Sequence, residues 1–258
     1  MKYIDTKNRE YWNWRAEGYS DVNKEELEGI QRKTWPELLD REIMNHFSEK
    51  NLSRDHIKVL DIGTGPGFIA IVLAEIGYDV TAVDFSEAML DEARSNAKDL
   101  AKKISFRTEN AMDLSFSDKS FDVIVTRNLT WNLPKPEKAY EEWIRVLKDD
   151  GFLMIFDANW YDFLIDKDKK QAFENDREKV KESGIEDFTI GENFDVMDKI
   201  ALGLPLTGKK RPDWDKKVFL NMKVSGVETT ENIGKIVYSE KEKVNYASTP
   251  MFMIKVRK

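Results

Sequence analysis

Val59-Leu60-Asp61-Ile62-Gly63-Thr64-Gly65-Pro66-Gly67 runs from apolar residues through an acid into a loop with glycine at every second position. The next seven residues, Phe68-Ile69-Ala70-Ile71-Val72-Leu73-Ala74, are all apolar and read as a buried helix. Strand, glycine loop and helix in that order let a backbone press against a polar ligand. Glycine tolerates unusual dihedrals and has no Cβ to obstruct approach. The following strand, Asp79-Val80-Thr81-Ala82-Val83-Asp84, also ends in an acid, as expected where a ribose is held. Together these features point to a nucleoside-containing cofactor.

The same alternation continues on either side. Strands are expected near 58–62, 79–84, 104–108, 121–126 and 151–157, with helices near 67–76, 86–101 and 136–147. Ser86 suits an N-cap, and Pro136 suits the first turn of its helix. Short strands alternating with helices imply a parallel sheet covered on both faces. Asp149-Asp150-Gly151 reads as a turn into the last of these strands. Ahead of the alternation, 24–50 reads as helix, interrupted or kinked at Trp35-Pro36. Behind it, 158–211 is charged and aromatic, with helices expected around 166–183 and 193–203, and reads as an insertion over the sheet's carboxyl edge. A helix from Pro212 to about Lys223 and two strands near 226–236 and 249–256 follow, the strands pairing antiparallel.

Composition narrows the partners. The 258 residues carry a formal net charge of −7 with 34 % charged side chains, which argues against a nucleic-acid backbone as the main partner. Lys209-Lys210-Arg211 is the best basic patch and reads as a solvated loop. There are no cysteines, hence no disulfide, thiolate metal site or cysteine nucleophile. Neither a signal peptide nor an apolar run of membrane-spanning length is visible, so a cytoplasmic protein with no membrane partner is expected.

A dinucleotide-binding unit spaces its glycines G-x-G-x-x-G. Here Gly67 comes one residue early, Phe68 stands in the expected place, and Asp61 is foreign to that pattern. The observed D-x-G-x-G-x-G suits a ligand end that carries an amino acid, because a protonated amine and a sulfonium prefer carboxylates and carbonyls to a phosphate nest. These residues resemble motif I of the class I S-adenosylmethionine-dependent methyltransferases, and the resemblance extends over about 59–157. It includes Asp84, Asn110-Ala111-Met112-Asp113, Phe121-Asp122-Val123-Ile124 and Leu147 to Leu153. One departure is Asp149-Asp150-Gly151, where a proline-glycine-glycine turn is commoner.

The resemblance implies an α/β fold: a seven-stranded Rossmann-like doubly wound sheet, mostly parallel with an antiparallel C-terminal strand. An N-terminal helical lid and an insertion after the fifth strand complete it. The chain is then one methyltransferase domain over 1–258, with lid and helices at 1–50, cofactor core at 51–157, cap at 158–211 and a C-terminal helix and strand pair at 212–258. Its cofactor would be S-adenosyl-L-methionine and its product S-adenosyl-L-homocysteine, with no metal, because Arg127 and Asn128 stand where metal-using relatives place carboxylates.

Implied cofactor-binding residues are Tyr19, Asp61, Gly63, Thr64, Gly65, Pro66, Gly67, Asp84, Phe85, Met89, Ala111, Met112, Asp113, Arg127 and Asn128. Asp84 would grip the ribose, Asp113 accept from the adenine amino group and Met112 pack on the ring. Arg127 and Asn128 would sit near the methionine end, and Tyr19 either meets the cofactor carboxylate or pins its segment to the core, with Tyr11 and Trp12 beside it. Trp131 forms an acceptor wall or packs its loop onto the sheet; Trp160, Tyr161 and Phe163 would stand at the acceptor rim. Asp157 and Asn159 either bind a polar acceptor or make turns. His46 and His56 lie at the wrong end of the sheet and read as structural. The signatures of nucleic-acid amino-methylating enzymes and of protein-arginine sites are absent, which favours a small-molecule acceptor. The competing readings are a cofactor-binding regulatory module without transfer activity, a nucleic-acid methyltransferase and a nicotinamide oxidoreductase.

Overall fold

A computed structural model describes residues 2–50, 52–190 and 194–258. The strands are β1 Lys58–Ile62, β2 Asp79–Asp84, β3 Ile104–Thr108, β4 Phe121–Arg127, β5 Leu147–Asp157, β6 Gly226–Thr230 and β7 Phe252–Arg257. They form one seven-stranded sheet in the order β3-β2-β1-β4-β5-β7-β6, and β7 runs antiparallel to both neighbours. The doubly wound arrangement expected from the alternation is therefore present. Successive side chains of a strand face opposite sides, and the core divides accordingly. Val59, Val123, Val125 and Met154 pack on one face; Leu60, Ile124, Leu153 and Ile155 pack on the other.

Helices α1 Lys2–Glu28, α2 Gln31–His46, α3 Phe68–Glu75, α4 Glu87–Ala97 and α5 Pro136–Val146 belong to the N-terminal segment and the crossovers. Ser86 caps α4 by accepting from the Met89 N–H, and Pro136 opens α5, as expected. After β5 come α6 Lys167–Ser183, α7 Phe194–Leu202 and α8 Asp213–Asn221, close to the expected spans; residue 193, where the second was expected to begin, lies outside the described residues.

Three local expectations are corrected. The break in the N-terminal helix falls at Gly29-Ile30, and Pro36 lies inside α2. An interior proline costs about 3 kcal/mol, whereas burying Trp35, Leu38, Leu39 and Ile43 contributes about 1.5–3 kcal/mol each. Burial carries the helix through the proline. Asp149-Asp150-Gly151 is no separate turn but part of β5, at a slip in register between the pairs Phe121–Leu147 and Val123–Phe152. A Cβ on Gly151 would lie 2.6 Å from the Asp122 carbonyl oxygen, so the close approach requires glycine. The strand expected to reach 236 ends at Thr230, and the short helices α9 Gly234–Val237 and α10 Glu240–Asn245 fill the connection to β7.

The strand order reverses between β1 and β4. Open sheets of this kind bind ligands at that reversal, beyond the carboxyl ends of the strands. The glycine loop leaves β1 there and ends at Gly67, whose φ is +95° and whose Cβ would meet the Ala93 Cβ of α4 at 2.9 Å. Gly67→Ala combines a left-handed backbone with a clash. We expect it to lower stability by about 2–4 kcal/mol, measured by urea denaturation.

Candidate functional site

The loop after β1 is held by the strand beside it. Gly63 and Thr64 N–H groups donate to the Val83 carbonyl at 2.8 and 3.0 Å, and Gly65 N–H donates to Asp84 Oδ2 at 3.0 Å. Ser86 N–H donates to the other Asp84 oxygen at 2.9 Å. Thr64 Oγ1 donates to Asp61 Oδ2 at 2.6 Å. Gly65 has φ +53°, and a Cβ there would lie 3.6 Å from the Tyr19 ring, filling the space between loop and helix.

Asp61 and Asp84 are 1 % and 7 % exposed. Burial disfavours a carboxylate's charge; it pushes Asp61 up to about 7, against the Thr64 hydrogen bond, and Asp84 up to about 6, against its backbone hydrogen bonds. Two such acids in one dry recess favour a cationic ligand.

α1 lies over this recess. Asn8, Trp12, Tyr19, Asn23 and Glu26 are spaced by 4, 7, 4 and 3 and share one helical face. Asn8 Nδ2 donates to the Asn132 carbonyl at 3.1 Å, and Asn23 Oδ1 accepts from Phe68 N–H at 3.2 Å. Glu26 takes both terminal nitrogens of Arg127, at 2.7 and 2.8 Å, with each side chain 9 % exposed. The paired carboxylate more than offsets burial and raises the Arg127 pKa, while Trp35 and Phe68 stack on its guanidinium. Next along β4's exit, Asn128 adopts φ +57°, a region asparagine tolerates better than most residues.

Between α1 and the strand ends lies a cavity with two arms. The narrow arm, about 60 Å³, is bordered by Trp12, Tyr19, Asp61, Thr64, Gly65, Met89, Arg127 and Asn128. The wide arm, about 490 Å³, includes Asn8, Asn110, Ala111, Met112, Leu133 and Pro134. Gly63, Asp84, Phe85, Leu129 and Asn132 border both arms, so the two adjoin. Among the described residues, Trp12 Nε1, Asn128 Oδ1 and Asn132 Oδ1 are buried without a hydrogen-bond partner. The two buried acids beside this space suit a ligand that carries a positive charge.

Most implied site residues converge here, but six do not. Pro66 and Gly67 are structural: the Pro66 carbonyl accepts from Asn96 Nδ2 at 3.1 Å, and Gly67 packs on α4. Asp113 is exposed, outside both arms, with its N–H on the Asn110 carbonyl. Trp131, Trp160 and Tyr161 border a separate small hollow. Trp131 Nε1 donates to the Asn128 carbonyl at 2.9 Å, so it packs the loop, and Trp160 Nε1 donates to Asp157 at 3.1 Å.

Asp157 itself is fully buried and has no capacity left for an acceptor. It receives Trp131 N–H at 2.9 Å, Ala158 N–H at 2.8 Å, the Thr130 hydroxyl and Arg211 Nη1 at 3.1 Å. Arg211 is 5 % exposed and also pairs with Asp215, so it is no part of a solvated basic loop. Asn159 Nδ2 donates to the Arg211 carbonyl at 3.2 Å. His46 bonds the Asp150 carbonyl at 2.9 Å, far from the carboxyl edge. Sequence reasoning missed Asn8, Asn23, Glu26 and Asn132; the helical spacing of the first three with Trp12 and Tyr19 was the available signal.

Comparison with known proteins bears on the family of the chain. A family model described as a methyltransferase domain matches residues 60–155. The ubiquinone/menaquinone biosynthesis C-methyltransferase UbiE of Rickettsia felis is 30 % identical, over 76 % of this chain and 69 % of that protein. A demethylmenaquinone methyltransferase of Leptospira interrogans is 34 % identical over 58 % of this chain, which spans only 59 % of its length. Among solved structures, the plantazolicin methyltransferase BpumL, in complex with a triazolic desmethylPZN analogue and S-adenosylhomocysteine, superposes with a TM-score of 0.61 at 14 % identity, over 99 % of this chain and 97 % of that one.

The Glu26–Arg127 pair can be tested on stability alone. Glu26→Gln leaves a buried guanidinium without its charge partner, and breaking such pairs costs about 3–5 kcal/mol. We expect a loss of that order or the release of α1, seen as faster amide exchange along 8–26. Lys24→Gln, which removes the exposed pair with Asp21, should change stability by less than about 1 kcal/mol.

Proposed function

Because the chain belongs to the class I S-adenosylmethionine-dependent methyltransferases, we propose that it methylates a small-molecule acceptor by in-line displacement, with positioning as the main source of rate. The observation that carries this reading is the pair of adjoining hollows at the strand-order reversal, lined by Asp61, Gly63, Asp84 and Met112 beneath α1. The relatives named for quinone methylation support a small acceptor.

S-adenosylmethionine, when bound, supplies an electrophilic methyl group on a positive sulfonium. The chain's own residues then have the task of binding, aligning and excluding water. Asp84 holds the ribose hydroxyls with the lone pairs left after its two backbone bonds. Asp61, Gly63 and the Asn128 backbone face the amino-acid end, Tyr19 meets its carboxylate, and Ala111 and Met112 pack against the adenine. Phe85 and Met89 close the space beside the ribose. Arg127 contributes differently from the role implied by resemblance: its guanidinium is committed to Glu26 and fastens α1. Fixed alignment of nucleophile, methyl carbon and leaving sulfur can supply about 7–11 kcal/mol of the barrier.

Two measurements check the assignment. Asp84→Asn should weaken S-adenosylmethionine binding by about 10–100-fold in calorimetry, since hydrogen bonds to a charged acceptor contribute about 1.5–3 kcal/mol. Unchanged affinity would remove Asp84 from the ribose site. Incubation with labelled donor and a metabolite extract, followed by mass spectrometry, identifies the acceptor. A labelled nucleic acid in place of a metabolite would overturn the small-molecule reading.

Affinity should also depend on pH, with a definite sign. In the free protein Asp61 and Asp84 take up protons as pH falls through about 7 and about 6. A cationic ligand binds their ionised forms better, so binding expels those protons. S-adenosylmethionine affinity is therefore expected to fall between pH 8 and pH 5.5, by up to about tenfold per pH unit for each proton expelled. Equal dissociation constants across that range would show that neither acid has to be ionised to hold the ligand.

A further inference from the structure

α1 borders both arms of the cavity, and at the wide arm it presents a charge that has no counter-ion in the fold. Trp12 and Tyr19 stand on the narrow arm, whereas Thr6 and Arg9 stand on the wide one. The exposed Arg9 lays its guanidinium over the Phe85 ring, 5.6 Å from the centroid, and Phe85 directly follows Asp84 at the end of β2. Among the described residues, every arginine except Arg9 and Arg15 has a carboxylate within 4.0 Å. Arg15 borders neither arm.

The two acids of the wide arm are engaged elsewhere. Glu109 accepts from Ser115 N–H at 3.0 Å and pairs with Arg107 at 3.2 Å, while Asp84 accepts from the Gly65 and Ser86 N–H groups. A guanidinium carries five N–H donors and no acceptor. Stacked on a ring at the wall of a space of about 490 Å³, it is placed to meet acceptor atoms that a ligand brings.

We propose that Arg9 is a cofactor-binding residue whose guanidinium donates to the adenosine half of S-adenosylmethionine, so that α1 holds the cofactor at both ends. The inference rests on the methyl-transfer reading above and deepens it. The wide arm is the one that carries Ala111 and Met112, assigned above to the adenine. An adenine offers ring nitrogens as acceptors and a flat face against which a guanidinium can stack. The cofactor's carboxylate is the other group that attracts an arginine, but it belongs with Tyr19 on the narrow arm, which Arg9 does not border. The charges also separate in the right sense. Asp61 borders only the narrow arm and Arg9 only the wide one, so the unpaired cation of the chain faces the neutral end of the cofactor.

The test uses the whole protein and three ligands in calorimetry. S-adenosylhomocysteine and methylthioadenosine carry no net charge, and the second lacks the amino acid; S-adenosylmethionine is the cation. Arg9→Met keeps an unbranched stem against Phe85 and removes the donors. It should weaken S-adenosylhomocysteine and methylthioadenosine by the same factor, at least fivefold. S-adenosylmethionine should weaken as well, although removing a positive charge by itself favours a cation. Lys24→Gln takes the same charge from α1 at a position that borders neither arm, and should leave all three affinities within twofold. An unchanged urea midpoint shows that each variant is folded.

A loss smaller than fivefold for either neutral ligand overturns the proposal. If S-adenosylhomocysteine alone weakens, Arg9 meets the amino-acid carboxylate; if neither does, the guanidinium is solvated or serves the acceptor. Equal weakening by Lys24→Gln also overturns it, because the effect is then one of net charge. Failure of the unaltered protein to bind S-adenosylhomocysteine is seen before any variant is compared and overturns the methyl-transfer reading itself.

Discussion

A guanidinium taken out of water has to bring carboxylates with it, and two buried arginines decide what covers the carboxyl edge of this sheet. Arg127, at the end of β4, draws Glu26 from α1. Arg211, between α7 and α8, draws Asp157 from the end of β5 and Asp215 from α8. Charge pairing in a dry interior is far less forgiving than apolar packing, which tolerates sliding. Each arginine therefore fixes one accessory element at one position over the strands. The two networks meet in the loop after β4, where Thr130 and Trp131 bond Asp157 while Asn132 receives Asn8. The N-terminal helix and the insertion are thus set relative to the same few residues.

That arrangement changes what the insertion does. Its helices border neither arm of the cavity. Instead Met197, Ile200, Ala201 and Leu204 pack with Tyr11 and Trp131, clamping α1 from outside. The roof of the site is α1, and the insertion is the layer that keeps α1 down. Access to the cavity then depends on how α1 and the loop after β4 part, and Glu26–Arg127 is the buried pair that resists it.

How much of this was legible in the sequence follows from the range of the interactions. The parallel strands, the crossover helices and the glycine loop rest on neighbours within a few residues; several were readable to within one or two positions, as with Lys58–Ile62 and Pro136–Val146, whereas β5 begins four residues earlier and α4 ends four residues earlier than expected. Cavity residues tied to that loop, such as Asp61 and Asp84, were readable for the same reason. Arg211 was not: a basic triplet looks solvated until Asp157, 54 positions earlier, is placed beside it. Trp160 and Tyr161 follow a strand that ends at the site, yet the side chain of Asp157 turns Trp160 toward the other hollow. Asp113 matched a motif by position, but its exposure depends on how the segment after β3 closes, and nothing local specifies that.

The pairing of Arg127 has a further consequence for a positively charged cofactor. A lone guanidinium bordering the narrow arm would oppose a sulfonium and an ammonium, and it would favour ionised Asp61 without leaving that charge for the ligand. Glu26 takes both nitrogens of the fork and cancels the cation where it stands. What remains facing the cavity is Asp61 and Asp84, both raised by burial and neither balanced by a basic side chain at hydrogen-bond distance. The free protein accepts the cost of two buried acids; in the proposed reading the ligand's positive end would relieve Asp61 and its ribose hydroxyls Asp84. On this argument the glycine loop does not select the cofactor by itself. It supplies the close approach, the acids supply the sign of the charge, and Glu26, which sits 35 residues before Asp61 in the chain, keeps that sign intact.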